Sequence, residues 1–71
     1  MPYYLVNRNA QSISGDHEVH DRASRLGCLP NPENQIDLGY HGSCSEAVAA
    51  ARRLYSDVNG CAYCAPACHT T

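Results

Sequence analysis

The run Gly60-Cys61-Ala62-Tyr63-Cys64-Ala65-Pro66-Ala67-Cys68-His69 gathers three of the chain's five cysteines and one of its four histidines. It constrains the fold because the remainder of the 71 residues offers little to build a core from. There is no Phe and no Trp, and much of the apolar fraction is alanine, which buries little area per residue. A chain of this length buries only about 60% of its unfolded surface. Its balance of burial against ordering entropy comes out near zero without a staple. A structural zinc supplies apparent binding free energies of about 10–16 kcal/mol in small metal-dependent peptides, and a disulfide about 2–4 kcal/mol. Either would decide whether this chain folds.

Cys61-x2-Cys64 has the bite of a zinc knuckle, two thiolates on one tight turn. Cys68 lies four residues beyond Cys64, so a helical turn begun at Pro66 would bring the two sulfurs to one face. His69 adjoins Cys68, and one of those two is expected to ligate. A fourth donor must then come from upstream, from Cys28 or His20. The expected metal residues are thus Cys61, Cys64, Cys68 and Cys28, with His20 and His69 behind them, and the expected ion is zinc. Two other states of the run stay open: a Cys61–Cys64 disulfide or redox pair, and plain free thiols.

Two further features invite a sharper interpretation than they carry. His17-Glu18-Val19-His20 is one residue short of the zinc-protease helix pattern, and on a strand His17 and His20 point to opposite faces. His17 is therefore expected as an ordinary polar residue. Cys44 falls in the first turn of a predicted helix, where the dipole would favour a reactive thiolate; a small residue packed at a helix start is the plainer expectation. His41, between Gly39-Tyr40 and Gly42, is expected as a solvated loop residue.

Residues 3–7 and 16–20 predict two strands joined by a polar turn over 9–15, forming an antiparallel hairpin. Residues 21–33 predict a loop, because the Pro30-Asn31-Pro32 step admits neither helix nor central strand. Residues 35–38 could add a third strand, with Gly39 and Gly42 bracketing a turn. Ser43 and Glu46 fit a capping box. The alanine-rich run after it predicts a helix over about 44–57, with Val48, Ala51, Leu54, Tyr55 and Val58 on the buried stripe, Arg52 and Arg53 off it, and Asn59-Gly60 as its left-handed stop. The fold class expected is α+β in a single small domain: a two- or three-stranded antiparallel sheet covered by one helix, with a C-terminal Cys-rich turn.

Composition narrows function by exclusion. The formal net charge is −2, which disfavours a nucleic-acid surface. All five basic residues are Arg, a bias that accompanies the many alanines. No segment approaches a membrane span, and no basic stretch precedes an apolar run, so neither membrane insertion nor a signal peptide is expected. A cytoplasmic location is expected, where clustered cysteines serve more often as ligands than as disulfides. No catalytic dyad, phosphate loop or paired carboxylates are visible, and the chain is not expected to be an enzyme.

The blocks Asn7-Arg8-Asn9-Ala10-Gln11, Asp16-His17-Glu18-Val19-His20, Leu29-Pro30, Leu38-Gly39, Ser43-Cys44 and Gly60-Cys61-x2-Cys64-x3-Cys68-His69-Thr70 together resemble a group of short, uncharacterised bacterial proteins rich in Cys and His. Their layout is also loosely similar to the Ada-type metal-binding modules of DNA-alkylation repair. That likeness implies zinc held by Cys28, Cys61 and Cys64, one thiolate of such modules being a methyl acceptor. Cys28 directly precedes Leu29-Pro30, where the pattern places its cysteine a few residues earlier. The leading expectation is a structural-metal or thiol-stapled interaction module with a protein partner. The alternatives are a redox or thiolate-acceptor protein using Cys44 or Cys61 and Cys64, and a nucleic-acid accessory protein using Arg52 and Arg53.

Overall fold

The computed structural model describes residues 3–10, 15–25 and 27–69; residues 11–14 of the predicted first turn lie outside them. Strand β1 (Tyr3–Asn7) alternates its side chains across two faces, yet Tyr4, Leu5 and Val6 are all buried. A strand buried on both sides needs cover on both, and the rest of the chain supplies it. Strand β2 (His17–Asp21) returns antiparallel, setting Leu5 opposite His20 and Val6 opposite Val19. Strand β3 (Gln35–Tyr40) pairs antiparallel with the other side of β1. The hairpin and the third strand thus stand as expected, β3 running two residues further.

A fourth strand was not expected. β4 (Val58–Gly60) pairs parallel to β2, giving a mixed sheet of order β3-β1-β2-β4 among the described residues. Because β3 and β4 run the same way on opposite edges, the chain between them must cross the sheet. It does so as helix α1 (Cys44–Ala51). Ala47, Val48 and Ala51 of α1 close over Tyr4, Val6 and Val19, with Ile36, Leu38, Tyr55 and Val58 around them.

The helix is eight residues long, shorter than the expected 44–57. Arg53 N–H bonds Ala50 C=O at 3.2 Å and Leu54 N–H bonds Ala51 C=O at 2.9 Å, tightening the last turn. His17 N–H then takes Asp57 C=O at 2.8 Å and draws the chain into the sheet. Two expectations fail with the shortening. Leu54 is 55% exposed and is no part of the buried stripe. Asn59-Gly60 is not a left-handed stop but part of β4. Gly60 is required there for closeness: a Cβ on it would stand 2.7 Å from Cys68 Cβ and 2.9 Å from Ala65 O. Arg52 and Arg53 are exposed as expected.

The helix start behaves nearly as predicted. Ser43 Oγ accepts from Glu46 N–H at 3.5 Å, and the Glu46 carboxylate reaches back to Gly42 N–H at 3.2 Å, one residue before the cap. Gly39 sits inside β3 at φ +81°, where the register slips between Tyr4 and Leu5. This bulge places Tyr40 opposite Tyr3, and the two rings meet edge to face at 5.7 Å.

Candidate metal centre

The face of the sheet away from α1 carries the chemistry. Val19 points into the helix-side core, so its neighbour His20 points the other way, beside Leu5. After β4, Cys61 N–H bonds Val19 C=O at 2.9 Å, carrying the chain one residue past the ladder and beneath this face. A turn closed by Ala65 N–H to Cys61 C=O at 2.9 Å then brings Cys64 alongside Cys61. The loop after β2 swings Cys28 in from the third side. The donor atoms of His20, Cys28, Cys61 and Cys64 all lie within 4.8 Å of one another.

A tetrahedral zinc with Zn–S about 2.3 Å and Zn–N about 2.0 Å holds its sulfurs about 3.8 Å apart and its nitrogen about 3.5 Å from each sulfur. His20 Nδ1 is 3.5 Å from Cys64 Sγ, already an edge of such a tetrahedron. The donor set, three thiols and one imidazole, is one that structural zinc uses. His20 is 1% exposed and Cys61 equally buried. Backbone amides aim at the sulfurs: Asp21 N–H at Cys64 Sγ and Tyr63 N–H at Cys61 Sγ, both 3.4 Å. Such donors favour the thiolate that a metal needs. The residues therefore fit a metal ion.

Protonation without a metal is uneven across the site. Burial pushes the Cys64 thiol up to about 12, against the Asp21 amide that favours its anion. Burial also works against ionisation of Cys28. There, however, hydrogen bonds from Ser24, Cys64, Cys61 and its own backbone outweigh burial and bring the thiol below its ordinary value. Burial lowers His20, keeping the imidazole neutral. His20 Nδ1 faces Cys64 Sγ at 3.5 Å, and Nε2 faces Glu18 Oε1 at 3.8 Å. Nδ1 thus points into the cluster.

The expected residues divide. Cys28, Cys61 and Cys64 stand together, and His20 joins them. Cys68 does not, because it forms a disulfide with Cys44, 24 residues away in sequence. Cys44 is therefore neither a reactive thiol nor a simple small packing residue. Cys61 and Cys64 are not joined to each other. His69 Nδ1–H donates to Gly60 C=O at 3.0 Å, outside the cluster. His17 stacks flat on Tyr55 at 3.7 Å and donates from Nδ1 to Asn7 C=O. His41, expected to be solvated, is half-buried, with Nε2–H donating to Leu38 C=O at 2.8 Å.

Period-2 alternation had already set His20 apart from His17. The signal that sequence reasoning missed was the pairing of Cys44 with Cys68. Nothing in their spacing shows that the tail crosses to the helix side.

The chain matches no protein-family model, no curated protein and no solved structure. Its function must therefore be argued from the site.

Proposed function

We propose that the protein is a small zinc-stapled interaction module, in which His20, Cys28, Cys61 and Cys64 hold one structural ion. The observation that carries this reading is the closed donor set: four donors from three separate segments within 4.8 Å, on a sheet face whose apolar cover is little more than Leu5. The helix side has its own apolar core. The opposite side has a donor cluster where a second core would be, and a metal there ties β2, the following loop and the C-terminal turn together. Four protein donors leave no open position for substrate, which favours a structural over a catalytic ion. A protein partner is the fitting occupant of the outer surface. Tyr3, Tyr40 and Tyr63 are exposed, and aromatic side chains of this kind anchor interfaces. The acidic balance gives a phosphate backbone little to bind.

Metal analysis of protein purified without added zinc, with cobalt substitution, tests the reading. One ion per chain is expected, and cobalt should show the intense visible bands of tetrahedral thiolate coordination. Cys61→Ser and His20→Ala should each weaken binding sharply. Protein that binds no ion, or variants that bind as tightly as the parent, would overturn it.

A further inference from the structure

Two of the four donors, Cys61 and Cys64, lie on a strap that wraps the β4 edge of the sheet. It starts at Gly60 on the strand, passes beneath the sheet through both donors, and returns through the short 3₁₀ turn Pro66–Cys68 to the helix side. There Cys68 packs into the core under α1 and is bonded to Cys44, the first residue of the helix. The strap is pressed against Gly60 so closely that no side chain fits between them. Beyond the disulfide, His69 also ties the end of the strap, Nδ1–H donating to Gly60 C=O at 3.0 Å.

We infer that the Cys44–Cys68 disulfide regulates the metal centre, holding the strap in the ligating arrangement so that a dithiol reductant lowers metal retention. The inference rests on the metal reading above. With the disulfide intact, the knuckle is fixed at both ends: by the β4 ladder at Gly60 and by a covalent tie into the helix at Cys68. With it reduced, the far end is tied by much weaker contacts, and the ordering of two donors must be supplied at the moment of binding. The chemistry spares the ligands. A reductant thiolate attacks one disulfide sulfur, forms a mixed disulfide and releases the other cysteine as thiolate. The second reductant thiol then displaces the mixed disulfide. Two electrons and two protons pass to Cys44 and Cys68, the reductant leaves as its own disulfide, and Cys28, Cys61 and Cys64, already reduced, are untouched. Both disulfide cysteines are half-buried, at the margin of the helix-side core.

Coupling between two sites typically changes affinity by roughly ten- to hundredfold, and it is reciprocal. Zinc binding is therefore measured by competition with a chromophoric chelator, comparing the native protein with the Cys44→Ser/Cys68→Ser double variant. Both should bind one ion, the variant roughly ten- to hundredfold more weakly. Gly60→Ala, which keeps the disulfide but forces the strap off the strand, should weaken binding as well. The reciprocal measurement uses the native protein alone. The fraction of Cys44–Cys68 reduced in a glutathione redox buffer is followed with and without saturating zinc. Zinc should make the disulfide harder to reduce by the same factor. Superimposed reduction curves, or equal zinc affinity in native and double-variant protein, would overturn the coupling and leave the metal reading standing. Absence of zinc binding in the native protein would overturn both.

Discussion

At the scale of single residues, the two faces of β1 ask different things of neighbouring side chains. Leu5 is 1% exposed, whereas Leu54, which sequence periodicity placed on the core stripe, is 55% exposed. Leu5→Ala should cost about 2–5 kcal/mol. Leu54→Ala should stay within about 0.5 kcal/mol of the parent. Chemical denaturation of the metal-loaded proteins checks both, and a large loss at Leu54 would contradict the packing. Protons make a second expectation. Cys64, pushed up to about 12, holds its proton at neutral pH and must release it to bind a metal. Apparent zinc affinity should therefore rise with pH, by about tenfold per unit for each proton released. Titrations at about pH 6, 7 and 8 measure that slope, and a flat profile would remove Cys64 from the donor set. The sign for His20 is separate. Burial lowers its folded pKa below the unfolded value of about 6.5, so the unfolded chain binds the extra proton. Metal-free protein should be fully stable, for this group, above about pH 6.5 and lose stability as pH falls below it, levelling off beneath the folded pKa. Melting temperature against pH in the presence of chelator reads this directly.

At the scale of elements, the cap and the bulge are the points where one residue determines a segment. Ser43→Ala removes the oxygen that Glu46 N–H donates to and should cost about 1 kcal/mol. Gly39→Val forces a β-branched residue to φ +81° and should cost more, with loss of the Tyr3–Tyr40 contact visible in their ring resonances. These elements were also the legible ones. Tyr-Tyr-Leu-Val, the short His17–Asp21 return and Ser43 with Glu46 are local signals, and the structure forms each near its predicted place. The helix end was illegible because Arg52, Arg53 and Leu54 continue a helical pattern that a long-range event interrupts. The partner that captures residues 58–60 is β2, some forty residues earlier in sequence. The strand identity of Asn59-Gly60 was hidden for the same reason. Local reading sees a helix stop there, while the glycine answers to the tail folding back on it. The cluster was half legible: Cys61 and Cys64 by their spacing, Cys28 and His20 only as candidates. The route of Cys68 to the helix side is a property of the topology alone.

At the scale of the whole molecule, stability should divide along the sheet. Chelation should expose the metal-side amides of residues 20–22 and 61–64 to hydrogen exchange while α1 stays protected by its apolar core and the disulfide. Uniform loss of protection would mean that the two faces unfold as one. No helix among the described residues is long and apolar enough to cross a membrane. The parallel pairing of β2 with β4 has a consequence in time. β1 meets β2 across a short stretch of chain, Val6 opposite Val19, whereas His20 meets Cys64 across 44 residues. Contacts so distant in sequence are reached late on the way to the native state. The four donors therefore converge only once the final strand has docked, and an ion arriving earlier finds only separate pairs, His20 with Cys28 or Cys61 with Cys64. A metal held there would act as a bolt slid home at the end, not a seed for assembly. Zinc should leave the refolding rate nearly unchanged and slow unfolding by almost the whole of its stabilisation.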